Sequence, residues 1–210
     1  MYQPAHFIQS DPSAWHELVR AYPLGTLITL GADGFPEANE IPFFLNTEAG
    51  KPETLFGHVA RANPLWHAHP PERDVLVVFK GPQAYVSPSW YPTKAEHGKV
   101  VPTWNYTVVQ ARGILRVVDQ DPDWLRQRLE CLTAQHEAHR AQPWAVGDAP
   151  EPYVSQLMRA IVGFEIKVTH WGGKWKTSQN QPMDNRQGVV AGLQAEGTEM
   201  ARSMALKVPT

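Results

Sequence analysis

Apolar and polar positions alternate through most of the chain, and the alternation breaks it into short strands. "GTLITL" (25–30) reads as a strand, "GADG" (31–34) as a turn, and "PEANEIPFFL" (36–45) as its hairpin partner. In that second arm Asn39, Ile41, Phe43 and Leu45 share one face, which predicts core, while Ala38, Glu40, Pro42 and Phe44 share the other. "TLFGHVA" (54–60) is a third strand, and "RANPLWHAHPP" after it is a connector with one helical turn. "DVLVVF" (74–79) is as strong a buried-strand signal as the chain contains, and it runs on into "KGPQAYVSP". "TWNYTVVQARGILRVV" (103–118) follows after the polar loop "TKAEHGKVVP". A last strand, "GFEIKVTHWGGKWKTSQN", is interrupted by Gly172-Gly173, which predicts a bulge or a close backbone approach. With turn signals between neighbours and no long helix alternating with them, the strands pair antiparallel, as in a barrel.

The helix signals are fewer. Asp11-Pro12 is a cap followed by proline at the first helical position, and Pro23 ends the helix it starts. Asp121-Pro122 repeats that signal before "DWLRQRLECLTAQHEAHR", where Leu125, Leu129 and Leu132 make one apolar stripe and leave the other face wet. A shorter helix follows in "PYVSQLMRAIV" (152–162). The tail from Asp184 is helical in pattern, although Gly188, Gly192 and Gly197 each weaken it by about 1 kcal/mol in a helix interior. The domain expectation is a barrel over 1–180 with helices inserted at about 121–162, and a helical tail over 181–210 packed on it.

Composition narrows the class. A hydrophobic fraction of 42% and a charged fraction of 19% over 210 residues fit one globular domain. The formal charge of -2 gives no basic field for nucleic acid or an anionic membrane. Cys131 is the only cysteine, so no intrachain disulfide forms, which suits a reducing compartment. Without a leader-like start or an apolar run near the ~20 residues of a bilayer span, the reading is a cytoplasmic protein with no membrane partner.

Metal and nucleophile signatures fail. His136 and His139 in "HEAH" stand at i and i+3, whereas the zinc-peptidase pattern needs i and i+4. His67 and His69 in "HAHPP" lack a cysteine partner, and a surface pair explains them. No glycine-rich phosphate loop or nucleophile elbow is present, and Cys131 sits inside an amphipathic helix. No catalytic residue is assigned.

Three stretches carry binding chemistry. "GHVARANP" (57–64) brings His58, Arg61 and Asn63 to a strand end, a donor set that suits a phosphate and equally a loop arginine paired with a carboxylate. "KWKTSQN" puts Lys174, Lys176 and Ser178 on one side of a strand and ends in Gln179 and Asn180, whose amides both donate and accept. Around "SPSWYPTK" and "VPTWNY", the aromatics Trp90, Tyr91, Trp104 and Tyr106 flank one loop. They serve as flat walls for a planar ligand, or as a plug of core.

Taken together, "GHVARANPLW", "VLVVFKGPQAYVSPSWY", "VPTWNY" and "KTSQNQPMDNRQGVVAGL" resemble the PaiB family of negative transcriptional regulators, within the FMN-binding split-barrel superfamily. The resemblance runs nearly the whole chain. It implies a six-stranded antiparallel split β-barrel with flanking helices, mainly β, acting as a homodimer with FMN as cofactor. Arg61 and Asn63 match its "ARANP" word, Ser87, Ser89 and Trp90 its "SPSWY" word, and Lys176, Gln179 and Asn180 its "KxSQN" word. Joined by His58 and Trp104, these are the expected cofactor-binding residues. The implied function is a PaiB-like negative regulator or a redox or metabolite sensor. DNA is a partner of that reading, though neither net charge nor a helix-turn-helix supports it. An FMN-dependent oxidoreductase using NAD(P)H is the alternative. Haem binding, with His170 and His58 as first ligands to test, is a third.

Overall fold

The computed structural model describes residues 1–31, 33–68 and 74–210. In chain order, a 3-10 turn at Ala5–Phe7 precedes β1 (Ile8–Gln9), α1 (Pro12–Ala21), β2 (Leu24–Leu30), β3 (Pro36–Pro42), β4 (Phe44–Asn46) and β5 (Thr54–Ala60). Next come α2 (Leu65–Ala68), β6 (Asp74–Val86), a 3-10 helix at Pro88–Trp90, α3 (Thr93–His97) and β7 (Thr103–Val118). The chain closes with α4 (Pro122–Glu137), a 3-10 turn at Val146–Asp148, α5 (Glu151–Arg159), β8 (Ile161–Lys176), α6 (Met183–Glu196) and α7 (Glu199–Ala205). The sheet order is β3-β2-β6-β7-β8-β5-β4, with β1 paired to β8.

The expected class, a mainly antiparallel split barrel with flanking helices, is observed. The described residues form eight strands rather than six. The surplus is β1 and β4, two and three residues long, too short to show a period in the sequence. No described helix is long and apolar enough to cross a membrane.

The chain divides into two compact units. The first comprises Met1–Ala21, Lys80–Val109 and Gly172–Thr210, the second Tyr22–Phe79 and Gln110–Trp171. β6, β7 and β8 each contribute residues to both.

In the second unit, β2 and β3 pair over seven residues, Leu24 opposite Pro42 through Leu30 opposite Pro36. β5 pairs with β8 from Thr54 opposite Lys167 to Ala60 opposite Ile161. Ile41, Phe43 and Leu45 are buried, as the alternation predicts. Phe43 meets Phe79 and Phe164 edge-on at 5.6 and 6.1 Å between ring centres. Each such side chain, buried from water, contributes about 1.5–3 kcal/mol. The Asp121 carboxylate accepts from the Trp124 amide at 2.9 Å, so the predicted cap starts α4. Leu125 on the predicted stripe is buried, and Leu129 and Leu132 are half-buried.

In the first unit, Val86 and Tyr91 pack with Val189 and Leu193 of α6 and Met204 of α7. Two of the tail glycines have a steric cause. A Cβ on Gly192 would stand 2.2 Å from the Trp90 ring, and one on Gly188 would stand 1.9 Å from the Trp90 carbonyl oxygen. Trp90 therefore lies on a bare strip of α6. Gly197 ends α6 at φ 69°, a left-handed cap, and Thr198 Oγ1 then accepts from the Ala201 amide at 3.2 Å to start α7. At the other end, β1 pairs with β8 at Lys174 and Gly173, and Gln3 Nε2 donates to the Gly173 carbonyl at 2.8 Å. A Cβ on Gly173 would stand 2.3 Å from Trp15 Nε1, so the glycine pair marks a close approach while β8 runs on unbroken.

Candidate functional site

The expected site residues fall in both units. His58, Arg61 and Asn63 belong to the second; Ser87, Ser89, Trp90, Trp104, Lys176, Gln179 and Asn180 belong to the first.

In the second unit, Arg61 is heavily engaged. Its guanidinium contacts Asp119 at 2.7 Å and donates to the carbonyls of Arg159 and Ile161 at 2.8 and 3.1 Å. The Trp66 indole in turn donates to the Arg61 carbonyl at 2.9 Å. The cavity beside Arg61, about 300 Å³, is also lined by Asp119, Asp121, Asp123 and Glu151 and by Arg126 and Arg159. Four carboxylates against three guanidinium groups leave no net positive charge there to attract a phosphate. Asn63 Nδ2 donates to Asn39 Oδ1 at 2.9 Å, and Asn63 Oδ1 accepts from the Leu65 amide, which holds the turn before α2. His58 lies against Phe44, Phe56, Leu125 and Arg128, and burial pushes its imidazole below the ordinary pKa. His170 is exposed on β8, His67 is exposed at the end of α2, and His69 lies outside the described residues. Among the described residues no cluster of three or more His, Cys, Asp or Glu has metal-holding geometry.

The first unit holds a cavity of about 430 Å³, within the range of small-ligand sites, ~300–1,000 Å³. The strand end that carries Lys176, Ser178 and Asn180 forms one side of it, and the loop from Tyr91 to Asn105 forms another. His6 and Phe7 reach it from the N-terminal segment, and Pro182 and Asn185 from the start of α6. Lys176, Lys99, His97 and His6 supply cationic or cation-forming groups, while no Asp or Glu occurs among the described lining residues.

Lys176 Nζ donates to Thr103 Oγ1 at 2.5 Å and to the Trp104 carbonyl at 2.6 Å, both neutral oxygens. Burial and, after it, the charge of Lys174 lower its pKa. Lys174 is itself buried, with Nζ donating to the Tyr2 carbonyl at 3.1 Å and lying over the rings of Tyr2 and Tyr106 at 5.7 and 5.4 Å. Two ammonium groups therefore sit on one strand end against oxygen dipoles and aromatic faces, a field that favours an anion.

Buried amides shape the rest of the wall. Asn105, 1% exposed, donates to Ser178 Oγ at 2.9 Å and accepts from it at 3.2 Å. Asn185 Oδ1 accepts from Thr93 Oγ1 at 3.0 Å, and Asn185 Nδ2 donates to Gln181 Oε1 at 3.2 Å. Tyr91, buried beside them, has its phenol pKa raised by burial. Gln179 does not reach the cavity. Its Oε1 accepts from the Thr177 amide at 2.7 Å and its Nε2 donates to the Trp175 carbonyl at 2.6 Å.

Of the remaining expected residues, Ser87 caps the 3-10 helix by accepting from the Ser89 amide at 3.2 Å, and Ser89 Oγ accepts from Lys94 Nζ at 3.4 Å. Trp104 is 55% exposed and meets Tyr85 edge-on at 6.0 Å between ring centres. Lys176 and Asn180 are thus the two expected residues that line the first unit's cavity. The strand alternation puts Ser178 on the side of Lys176, whereas no sequence signal marks Asn105, Thr93 or Asn185 as cavity-lining. Asn105 and Ser178 lie inside the quoted words, but nothing local distinguishes a buried Asn from a loop Asn.

Residues 1–170 match the family described as "Putative FMN-binding domain". The chain is 32% identical to the protease synthase and sporulation protein PAI 2 of Bacillus subtilis, covering 98% of this chain and 95% of that protein. An uncharacterized protein of Emericella nidulans is 34% identical, at 98% and 95% coverage. Among solved structures, the FAD and heme binding protein of Mycobacterium smegmatis superposes with a TM-score of 0.58 at 19% identity, covering 88% of this chain and 80% of that one.

Proposed function

Since the chain belongs to the family described as "Putative FMN-binding domain", we propose that it is a flavin-binding protein whose flavin is FMN, acting as a PaiB-like regulator that senses redox state or a metabolite. The observation that carries the FMN reading is the cavity of the first unit, with Lys176 desolvated on its wall and no carboxylate among its described lining residues. A phosphate monoester is the ligand group such a field favours, since it replaces neutral oxygen partners of the ammonium with a charged one. The start of α6 adds to this, because its first-turn amides lack helical partners and the helix dipole is positive there. Asn180 offers its amide to a heterocycle with mixed donor and acceptor edges.

The donor set fits FMN, with Lys176 as the phosphate partner and Asn180 as a polar contact. Arg61, committed to Asp119, is left out, as are the other expected residues that do not line the cavity. Bound flavin would supply hydride or one-electron chemistry; the residues around the cavity supply charge and orientation. Assembly as a homodimer, and contact of a dimer with DNA, belong to the same proposal and rest on the family resemblance.

Titration with FMN and with riboflavin, followed by flavin fluorescence, tests it. The wild type binds FMN more tightly than riboflavin, and Lys176→Met weakens FMN about tenfold or more while leaving riboflavin nearly unchanged, as loss of one charge-assisted contact requires. Equal affinity for the two ligands, or no response to the substitution, overturns the phosphate assignment. Bleaching of bound flavin by NADH or NADPH under anaerobic conditions would instead favour the oxidoreductase.

A further inference from the structure

Ser178 is the one non-glycine residue with positive φ among the described residues, at 65°. It is 3% exposed and sits where β8 has ended and the chain turns into α6. Left-handed backbone is disfavoured for any residue with a Cβ, so such a conformation persists only where the surroundings over-determine it. Here they do so from two sides. Asn105 on β7 spends its side-chain amide on the Ser178 hydroxyl in both directions, donating at 2.9 Å and accepting at 3.2 Å. Gln179 folds back and closes the turn locally, accepting from the Thr177 amide and hydroxyl and donating to the Trp175 carbonyl. The Gln181 amide then donates to the Ser178 carbonyl at 2.9 Å.

The consequence is geometric. Lys176 precedes the turn, Asn180 and Gln181 follow it, and all three line the same cavity. An ordinary extended residue at 178 would send the chain after it in another direction. We infer that the Asn105–Ser178 pair is a positioning latch that fixes Asn180 relative to Lys176 and so sets the site's preference for a phosphorylated ligand over its dephosphorylated form. The inference rests on the flavin reading of this cavity. Neither latch residue needs to touch the phosphate. They act through the backbone between Lys176, the phosphate partner, and Asn180, the polar contact.

The test uses Ser178→Gly, Ser178→Ala and Asn105→Ala in the full chain, with two readouts. Without ligand, hydrogen exchange of residues 177–181 quickens in Ser178→Ala and Asn105→Ala, and the double variant matches either single one. With ligand, the wild-type ratio of FMN to riboflavin affinity falls about tenfold in all three, the loss expected when one charge-assisted contact is misaligned. Ser178→Gly separates the latch from backbone strain: glycine accepts the left-handed backbone, so its thermal midpoint falls less than that of Ser178→Ala while the ratio still falls. Unchanged exchange in the alanine variants, or an unchanged ratio in the glycine variant, overturns the latch. Failure of the wild type to bind either flavin overturns the reading beneath it and the latch's assigned role together, and is told apart because it needs no variant.

Discussion

Substituting alanine for glycine in the middle of an exposed helix stabilises it by about 1 kcal/mol. At Gly192 of α6 the sign reverses. A Cβ there would stand 2.2, 2.4 and 2.5 Å from three atoms of the Trp90 indole. Carbon atoms settle at about 3.5–4.0 Å, so ring and helix must separate by more than about 1 Å. Overpacking of that kind costs about 1–3 kcal/mol, and subtracting the helix gain leaves Gly192→Ala less stable by up to about 2 kcal/mol. For a chain of this length the thermal midpoint then falls by up to about 8 °C. In a Trp90→Ala background the obstructing ring is gone, and the same substitution raises the midpoint. Gly188→Ala is the control. Its Cβ would meet the Trp90 carbonyl oxygen at 1.9 Å, a backbone atom that Trp90→Ala retains, so it destabilises both backgrounds. Thermal and urea unfolding of the six proteins reads the cycle. A rise in midpoint on Gly192→Ala with Trp90 intact, or an equal fall in both backgrounds, would refute the seat described for Trp90.

His58, half-buried and with desolvation as the cause of its shift, has a folded pKa below its unfolded value near 6.5. The folded state therefore binds fewer protons. The stability at stake is complete above about pH 6.5 and is lost as pH falls through the lower folded pKa, so His58→Gln should flatten the acid limb of midpoint against pH between about 5 and 7. Arg61→Ala removes the Asp119 contact and two carbonyl contacts, which should cost about 1–2 kcal/mol in urea unfolding and leave FMN affinity unchanged. A large loss of FMN affinity in that variant would return Arg61 to the phosphate.

What the sequence made legible was local. The hairpin face with Ile41, Phe43 and Leu45, the Asp121 cap and the glycine pair at 172–173 all follow from spacing within a few residues, and the structure bears each of them out. What it hid was long-range. Gly188 and Gly192 counted as helix weakeners because their reasons, the carbonyl and the indole of Trp90, lie about a hundred positions earlier. Arg61 left a choice between phosphate and carboxylate because Asp119 is far away in the chain. Asn105 and Ser178 share a pair of hydrogen bonds across 73 positions, which no periodicity encodes. The αL backbone of Ser178 was hidden too, since left-handed turns are ordinarily announced by Gly or Asn.

The division of β6, β7 and β8 between the two units sets an order of events during synthesis. The second unit has all its segments once Trp171 has emerged from the ribosome, whereas the first still awaits Gly172–Thr210, including both helices of its core and the strand end that carries Lys176. At about 5–20 residues per second, those 39 positions take roughly 2–8 s to translate. For that interval the nascent chain carries Val86, Tyr91 and Trp90 without the helices that cover them. A holdase has its best opportunity then, and the cavity lined by Lys176 and Asn180 cannot form until the interval has passed.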